Sequence, residues 1–267
     1  MTVISSSKNS DIRYLKKLYQ SRKRKQENKF ILEGKRIVLT ALNKDVEFDI
    51  IFVTPDFLEK NPEFKDKELL KNIDIKSVKE GLLSEIADTV SPQGIIAIVK
   101  KPDYSFDKIE DTDKIVVLDR IQDPGNMGTL IRTAVAAGME SIIALKGCVD
   151  IYNLKVLRAT MGAIFAIPIL TRIEADKYIE LYKKRDYNLI ASDASRGDYY
   201  YTIEYKEPFM IVIGNEAKGV REDLINISDT TVKIPIIGEI DSLNAAIAGG
   251  IIFYRAIEEN ELLDRHL

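Results

Sequence analysis

Histidine is almost absent from this chain. Its 267 residues include one, His266, next to the last position. The commonest general base and metal ligand is therefore missing from the body of the protein. That excludes a Ser-His-Asp triad, a Cys-His pair and a His-rich zinc site. No metal is expected, and any chemistry must run on Arg, Lys, Asp, Glu, Ser, Asn or backbone groups. Cysteine is as scarce: Cys148 stands alone, no internal disulfide can form, and a cytoplasmic location agrees with this. Long apolar runs are lacking too, so no membrane span is expected. The opening MTVISSSKNSDIRYLKK has no apolar core of the kind a secretory signal needs.

What is present is ordinary in amount and uneven in placement. An apolar share of 45% and a charged share of 30% describe a soluble globular protein, and the length suits two domains. Net charge is −3, yet residues 1–36 hold eleven Lys and Arg against Asp11, Glu27 and Glu33. The remainder must then carry an excess of eleven negative charges. A basic head on an acidic body is what a protein gripping phosphate with one end would show. A solvated helix face is the plainer account. The candidates for nucleic-acid contact are Lys16, Lys17, Arg22, Lys23, Arg24, Lys25, Lys35 and Arg36.

The first hundred residues read as a small α/β unit. A helix fits Asp11–Gln20 with Ser10 or Asp11 as its cap, a strand fits Phe30–Gly34, and a helix fits Arg36–Leu42. Short strands follow at 50–54, 73–77 and 94–100, with a helix at 82–87. Residues 102–114 are mostly polar and read as a linker between a domain at 1–101 and another at 115–267. Beyond the linker, apolar strands at 115–119, 141–145, 188–192, 209–214 and 231–235 alternate with helices at 126–137, 153–162, 175–185 and 242–259. Such alternation predicts a parallel sheet with helices on both faces. Ligands then sit beyond the carboxyl ends of the strands, in the loops after Asp119, Ser192, Gly214 and Pro235.

Three of those loops carry unusual sequence. In LDRIQDPGNMGTLIRTAVAAG (Leu118–Gly138) a strand ends, Pro-Gly turns the chain, and Asn126 is placed to cap the next helix. Met127, Leu130, Ile131, Ala134 and Val135 form its buried stripe, and Arg132 lies off it. A cap plus a surface arginine is the alternative to a ligand site. In IVIGNEAKGVRED (Ile211–Asp223) Gly214 suits close backbone approach to a ligand and Gly219 a tight turn, while Glu216 is a surface acid or a polar anchor. Neither a P-loop nor G-x-G-x-x-G occurs. In VKIPIIGEIDSLNAAIAGGIIFY (Val232–Tyr254) Asp241 or Ser242 caps a helix of small and apolar residues, a core helix or one that also meets a ligand and a partner subunit.

In this order, DPGNMGTLIRTAVAAG, IVIGNEAKG and IPIIGEIDSLNAAIAGG resemble the three signature motifs of the SpoU/TrmH family of RNA methyltransferases. RATMGAIFAIP (Arg158–Pro168) resembles the segment between them, and SSKNSDIRYLKKL with FILEGKRIV resembles the substrate-binding domain many members carry. The resemblance implies an α/β domain whose C-terminal part threads a deep trefoil knot, which no periodicity could reveal. It implies a homodimer and transfer of methyl from S-adenosylmethionine to a ribose 2′-hydroxyl, of ribosomal RNA first, with transfer RNA as the alternative. A non-catalytic RNA-binding or ribosome-assembly protein on the same fold is the competing reading, and a nucleotide hydrolase a weaker one. By the motif match Arg132, Asn126, Glu216 and Asn244 are catalytic, and Gly214, Ile234, Ile236, Ser242 and Leu243 contact the cofactor. Two departures stand out. Ala245-Ala246 replaces a common Val-Ser, and the loop at 193–197 matches loosely.

Overall fold

The computed structural model describes residues 2–44, 46–65, 70 and 73–258, so His266 lies outside the described residues. In chain order the elements are α1 (Ser10–Leu18), α2 (Ser21–Glu27), β1 (Lys29–Glu33), α3 (Lys35–Leu42), β2 (Phe48–Val53), α4 (Pro55–Lys60), β3 (Asp74–Ser77), α5 (Glu80–Ile86) and β4 (Ile95–Lys100). They continue with β5 (Lys114–Leu118), α6 (Pro124–Ala136), β6 (Ser141–Leu145), α7 (Leu154–Thr160), β7 (Ile169–Ile173), α8 (Ala175–Arg185), β8 (Asn188–Ser192) and β9 (Asp198–Tyr199). Last come β10 (Phe209–Ile213), α9 (Glu222–Ile227), β11 (Thr230–Lys233) and α10 (Ala245–Glu258).

Two compact units result. The first is Met1–Asp103 together with Tyr152–Phe165, and the second is Tyr104–Ile151 together with Ala166–Leu267. The first unit holds a four-stranded sheet in the order β1-β4-β2-β3, antiparallel except for β2 and β3. Its core includes Ile12, Leu15 and Leu18 from the inner face of α1, spaced as a helix requires. The cap of α1 is Asn9, whose side-chain oxygen accepts from the N–H groups of Asp11 and Ile12 at 2.9 and 3.4 Å, rather than Ser10 or Asp11. Tyr152 and Phe165 both lie against the ring of Phe30, at 4.5 and 6.4 Å between centroids. That contact explains why residues 152–165 join this unit.

The second unit holds a seven-stranded sheet in the order β7-β6-β5-β10-β8-β11-β9, and every pairing is parallel. All five residues of β5, β6 and β10 are buried, as central parallel strands require. Ile115 and Val117 alternate toward a cluster that contains Tyr178 and Leu181 of α8 and Leu224 of α9. Helix α10 packs on β10 and α6, so helices cover both faces. Two strands were not expected: β7 carries Arg172 at a positive φ of 61°, and β9 is only two residues long. The stretch read as a linker has a 3-10 turn at Phe106–Lys108. Tyr104, Phe106 and Ile109 in that stretch pack into the second unit's core.

Strands β5, β10, β8 and β11 are neighbours. The four loops singled out from the sequence therefore leave adjacent strands at one edge of one sheet. No helix among the described residues is long and apolar enough to cross a membrane.

Candidate active site

The site begins at the end of β5. Asp119 is fully buried, and a buried carboxylate must be paired. Arg120 provides Nη2 at 3.1 Å, and Arg221 provides Nε at 3.0 Å and its own backbone N–H at 3.0 Å. Arg120 takes a left-handed φ of 56°, which lets its backbone carbonyl accept from Asn215 Nδ2 at 2.8 Å while its Nη2 donates to the Gly219 carbonyl at 3.3 Å. The loop after β5 is thus tied to the loop after β10. Sequence reasoning missed this latch. Its only signal is one acid closing the apolar strand IVVLD.

Glu216 makes the second tie. Its carboxylate accepts from the N–H groups of Gln122 and Asp123 at 3.5 and 3.3 Å, from Asn126 Nδ2 at 3.1 Å and from Asn215 Nδ2 at 3.3 Å. Glu216 is therefore a polar anchor, one of the two roles its position allowed. Asn126 in turn accepts on Oδ1 from Asn244 Nδ2 at 2.8 Å. Asn244 accepts from the N–H groups of Ala246 and Ile247 at 2.9 and 3.3 Å, so it caps α10. Neither Asp241 nor Ser242 does so. Likewise Asp123 caps α6, accepting from the Asn126 N–H at 2.8 Å with Pro124 following in the first turn. This leaves the Asn126 side chain free to link Glu216 to Asn244.

Beside this relay lies a cleft lined by Gly214, Ile234, Ile236, Ser242 and Leu243, with Asp193 on its border. All five residues expected to meet a cofactor are brought together. The walls are apolar, from Ile213, Val232, Ala245 and Ile252. Among the described residues no hydrogen bond involves the 234–243 segment, while Ile237 is 97% exposed. A run of free backbone donors and acceptors beside an apolar wall fits a ligand with both apolar and polar parts. The glycine at 214 has a different reason from the one expected. A Cβ there would stand 2.1 Å from Val220 N and 2.2 Å from Gly219 C, so the chain's own turn excludes it.

The loosely matching loop contributes as well. Burial works against ionisation of Asp193, but N–H donors of Ser195 and Arg196 and the Arg196 side chain outweigh it and hold the carboxyl at about 2. A pKa below the unfolded value near 3.8 stabilises the fold above that value and loses the effect as pH falls toward 2. Asp193→Asn should therefore lower the melting temperature at pH 7, with the gap to the parent narrowing from pH 4 downward. A gap that does not depend on pH would contradict this account. The thiol of Cys148 is pushed up to about 11 by burial, which leaves no thiolate for chemistry.

Arg132 stands apart. It is exposed on α6, does not line the cleft, and has no hydrogen-bond or ion-pair partner among the described residues. Of the basic candidates in the first unit, Arg24 is buried and donates to the carbonyls of Leu18 and Tyr19 at 3.1 and 2.7 Å, closing the end of α1. It is not available to phosphate. Lys16, Lys23 and Lys35 pair with Glu85, Glu27 and Glu63, whereas Lys17, Arg22, Lys25 and Arg36 are exposed.

Residues 113–254 match the model of the SpoU rRNA Methylase family, more than half of the chain. The chain belongs to that family. Residues 9–97 match a second model, the MRM3-like substrate binding domain. Among its relatives, the 23S rRNA (guanosine(2553)-2′-O)-methyltransferase RlmP of Bacillus subtilis is 31% identical, over 95% of this chain and 98% of that protein. The human mitochondrial rRNA methyltransferase 3 is 28% identical, over 86% of this chain and 68% of its own. The AdoMet-bound rRNA methyltransferase of Sinorhizobium meliloti superposes with a TM-score of 0.87 at 29% identity, covering 97% and 98% of the two chains. In this SpoU member, the three family motifs are the three loops that Glu216 and Asn126 hold together.

Proposed function

We propose that the protein methylates a ribose 2′-hydroxyl of ribosomal RNA, with S-adenosylmethionine as donor. The observation that carries this is the Glu216–Asn126–Asn244 relay at the rim of a cleft with an unpaired backbone run. Gly214, Ile234, Ile236, Ser242 and Leu243 would hold the cofactor, which supplies a methyl group activated by a positive sulfonium. The chain's own contribution is position. Glu216 locks Asn126, and Asn126 locks the first turn of α10, so the cleft is shaped before RNA arrives. Arg132, with no partner to satisfy among the described residues, serves as a cation for the phosphate beside the target ribose. A guanidinium offers donors and no acceptor, so the hydroxyl proton goes to that phosphate or to water rather than to Arg132. No metal enters the scheme.

The same reading includes the knotted threading of the C-terminal segment, a cytoplasmic setting and a homodimer. Ile247 and Tyr254 of α10 are 54% and 43% exposed, and a second copy is the natural cover for that stripe. The test is direct. Ribosomal RNA from cells lacking the gene is incubated with protein and S-adenosylmethionine, and 2′-O-methylation is mapped by resistance to alkaline cleavage. One or a few positions should gain protection. No new position, together with no saturable cofactor binding by calorimetry, would refute the reading.

A further inference from the structure

Glu33 ends β1 in the first unit, and its side chain is 3% exposed. Its Oε1 is well served, accepting from the Tyr19 hydroxyl at 2.6 Å and the Asp88 N–H at 3.0 Å. Its Oε2 is buried with no hydrogen-bond partner. The nearest cation is Arg158 Nη1 at 3.7 Å, beyond hydrogen-bonding reach, and that guanidinium is engaged with Asp88 at 2.9 Å. A buried carboxylate oxygen without a donor is costly unless a ligand supplies one.

Glu33 lines two cavities, both formed within the first unit, with Oε2 buried behind their walls. The larger, about 330 Å³, has Ile37, Leu154, Leu157 and Met161 as apolar walls, with Gln93, Arg36 and Arg158 as polar groups. Gln93 is fixed because its Oε1 accepts from the Lys35 N–H at 2.8 Å. Arg36 is exposed, and Arg158 is 42% exposed. The ligand that fits is planar, apolar on its faces, rich in N–H on one edge, and attached to phosphate. An unstacked nucleobase has those properties, and proteins that read single-stranded RNA take such bases one at a time.

We propose that this cavity receives one unstacked base of the RNA, its N–H edge donating to Glu33 Oε2 while Arg36 and Arg158 face its phosphates. Tyr19 is then a positioning residue, since its hydroxyl fixes the Glu33 carboxylate. The proposal rests on the RNA-substrate reading above and adds to it a place where RNA is held away from the cleft residues.

The test measures anisotropy of a labelled mixed-sequence single-stranded RNA and of the same backbone with abasic ribose throughout. Glu33→Gln should weaken binding of the base-bearing RNA roughly tenfold, the effect of losing a hydrogen bond to a charged group, and leave the abasic chain unchanged. The sign is diagnostic. Removing a negative charge would leave RNA affinity unchanged or raise it if Glu33 were only structural, and that result would overturn the proposal. Ile37→Phe, which intrudes on the cavity and leaves Glu33 in place, should give the same selective loss, so the outcome does not hang on one variant's folding. S-adenosylmethionine binding, measured in parallel, should be normal in both variants. Binding of guanosine 5′-monophosphate as tight as that of RNA would make this a free-nucleotide site instead and would also overturn the proposal. Were both variants to bind RNA like the parent while the parent binds cofactor and methylates RNA, the base site would be lost and the enzyme reading would stand.

Discussion

Replacing Arg132 by alanine should lower methyl transfer by roughly 10² to 10³-fold, the range seen when one charge-stabilising group is removed. S-adenosylmethionine affinity should stay within about twofold, because Arg132 does not line the cleft. Stability should also hold, within about 0.5 kcal/mol, since an exposed side chain without a partner supports nothing else. Single-turnover rates, calorimetry with the cofactor and a melting curve separate the three. Arg132→Lys divides the possible roles further. A lysine keeps the charge but loses the planar fork. A phosphate clamp should therefore retain part of the rate with a raised KM for RNA. Loss of cofactor binding in Arg132→Ala would contradict the role assigned to it.

A second large effect is expected at Gly214. An alanine methyl there would meet Val220 N at 2.1 Å and Gly219 C at 2.2 Å, distances no Cβ tolerates. The obstacle is backbone, and that backbone is pinned. Asn215 N–H donates to the Gly219 carbonyl at 3.1 Å, and Gly219 N–H returns a bond to Asn215 at 2.9 Å. The turn must open to admit the methyl. Its opening disturbs Asn215, hence the carboxylate of Glu216 and the rim of the cleft. Gly214→Ala should cost about 3 kcal/mol, at the upper end for overpacking, and weaken cofactor binding by at least about tenfold. Gly238→Ala is the control. It lies in the exposed 234–243 run, where an added Cβ would meet nothing within 4 Å, and its melting temperature should match the parent's. If Gly214→Ala melted like the parent, the close turn between Asn215 and Gly219 would be wrong.

The loops after Asp119, Gly214 and Pro235 were legible in the sequence because ligands of parallel sheets sit beyond the carboxyl ends of the strands. The roles given to Arg132, Glu216 and the 242–244 turn came instead from the resemblance to the family motifs. Their loops share one edge because the strands are adjacent, which alternation alone implies only in part. Capping was read less well. DPGN holds two good cap residues, and only Pro124 in the first turn decides for Asp123. DSLN holds three, and Asn244 is chosen by its link to Asn126 across 118 residues, a tertiary contact no local rule contains. Arg24 was hidden for the same reason. In a run of four basic residues nothing marks the one that folds back on the carbonyls of Leu18 and Tyr19. Strand β7 was missed because ILTRI breaks its alternation at Arg172.

The first unit is not continuous in the chain, because residues 152–165 belong to it while 104–151 do not. During synthesis β5 and β6 of the second unit leave the ribosome before the first unit has received its last helix. An N-terminal unit that finished before the next began would therefore do so without the rings of Tyr152 and Phe165 on Phe30. A truncation that ends at residue 103 would leave Phe30 without the aromatic contacts of Tyr152 and Phe165.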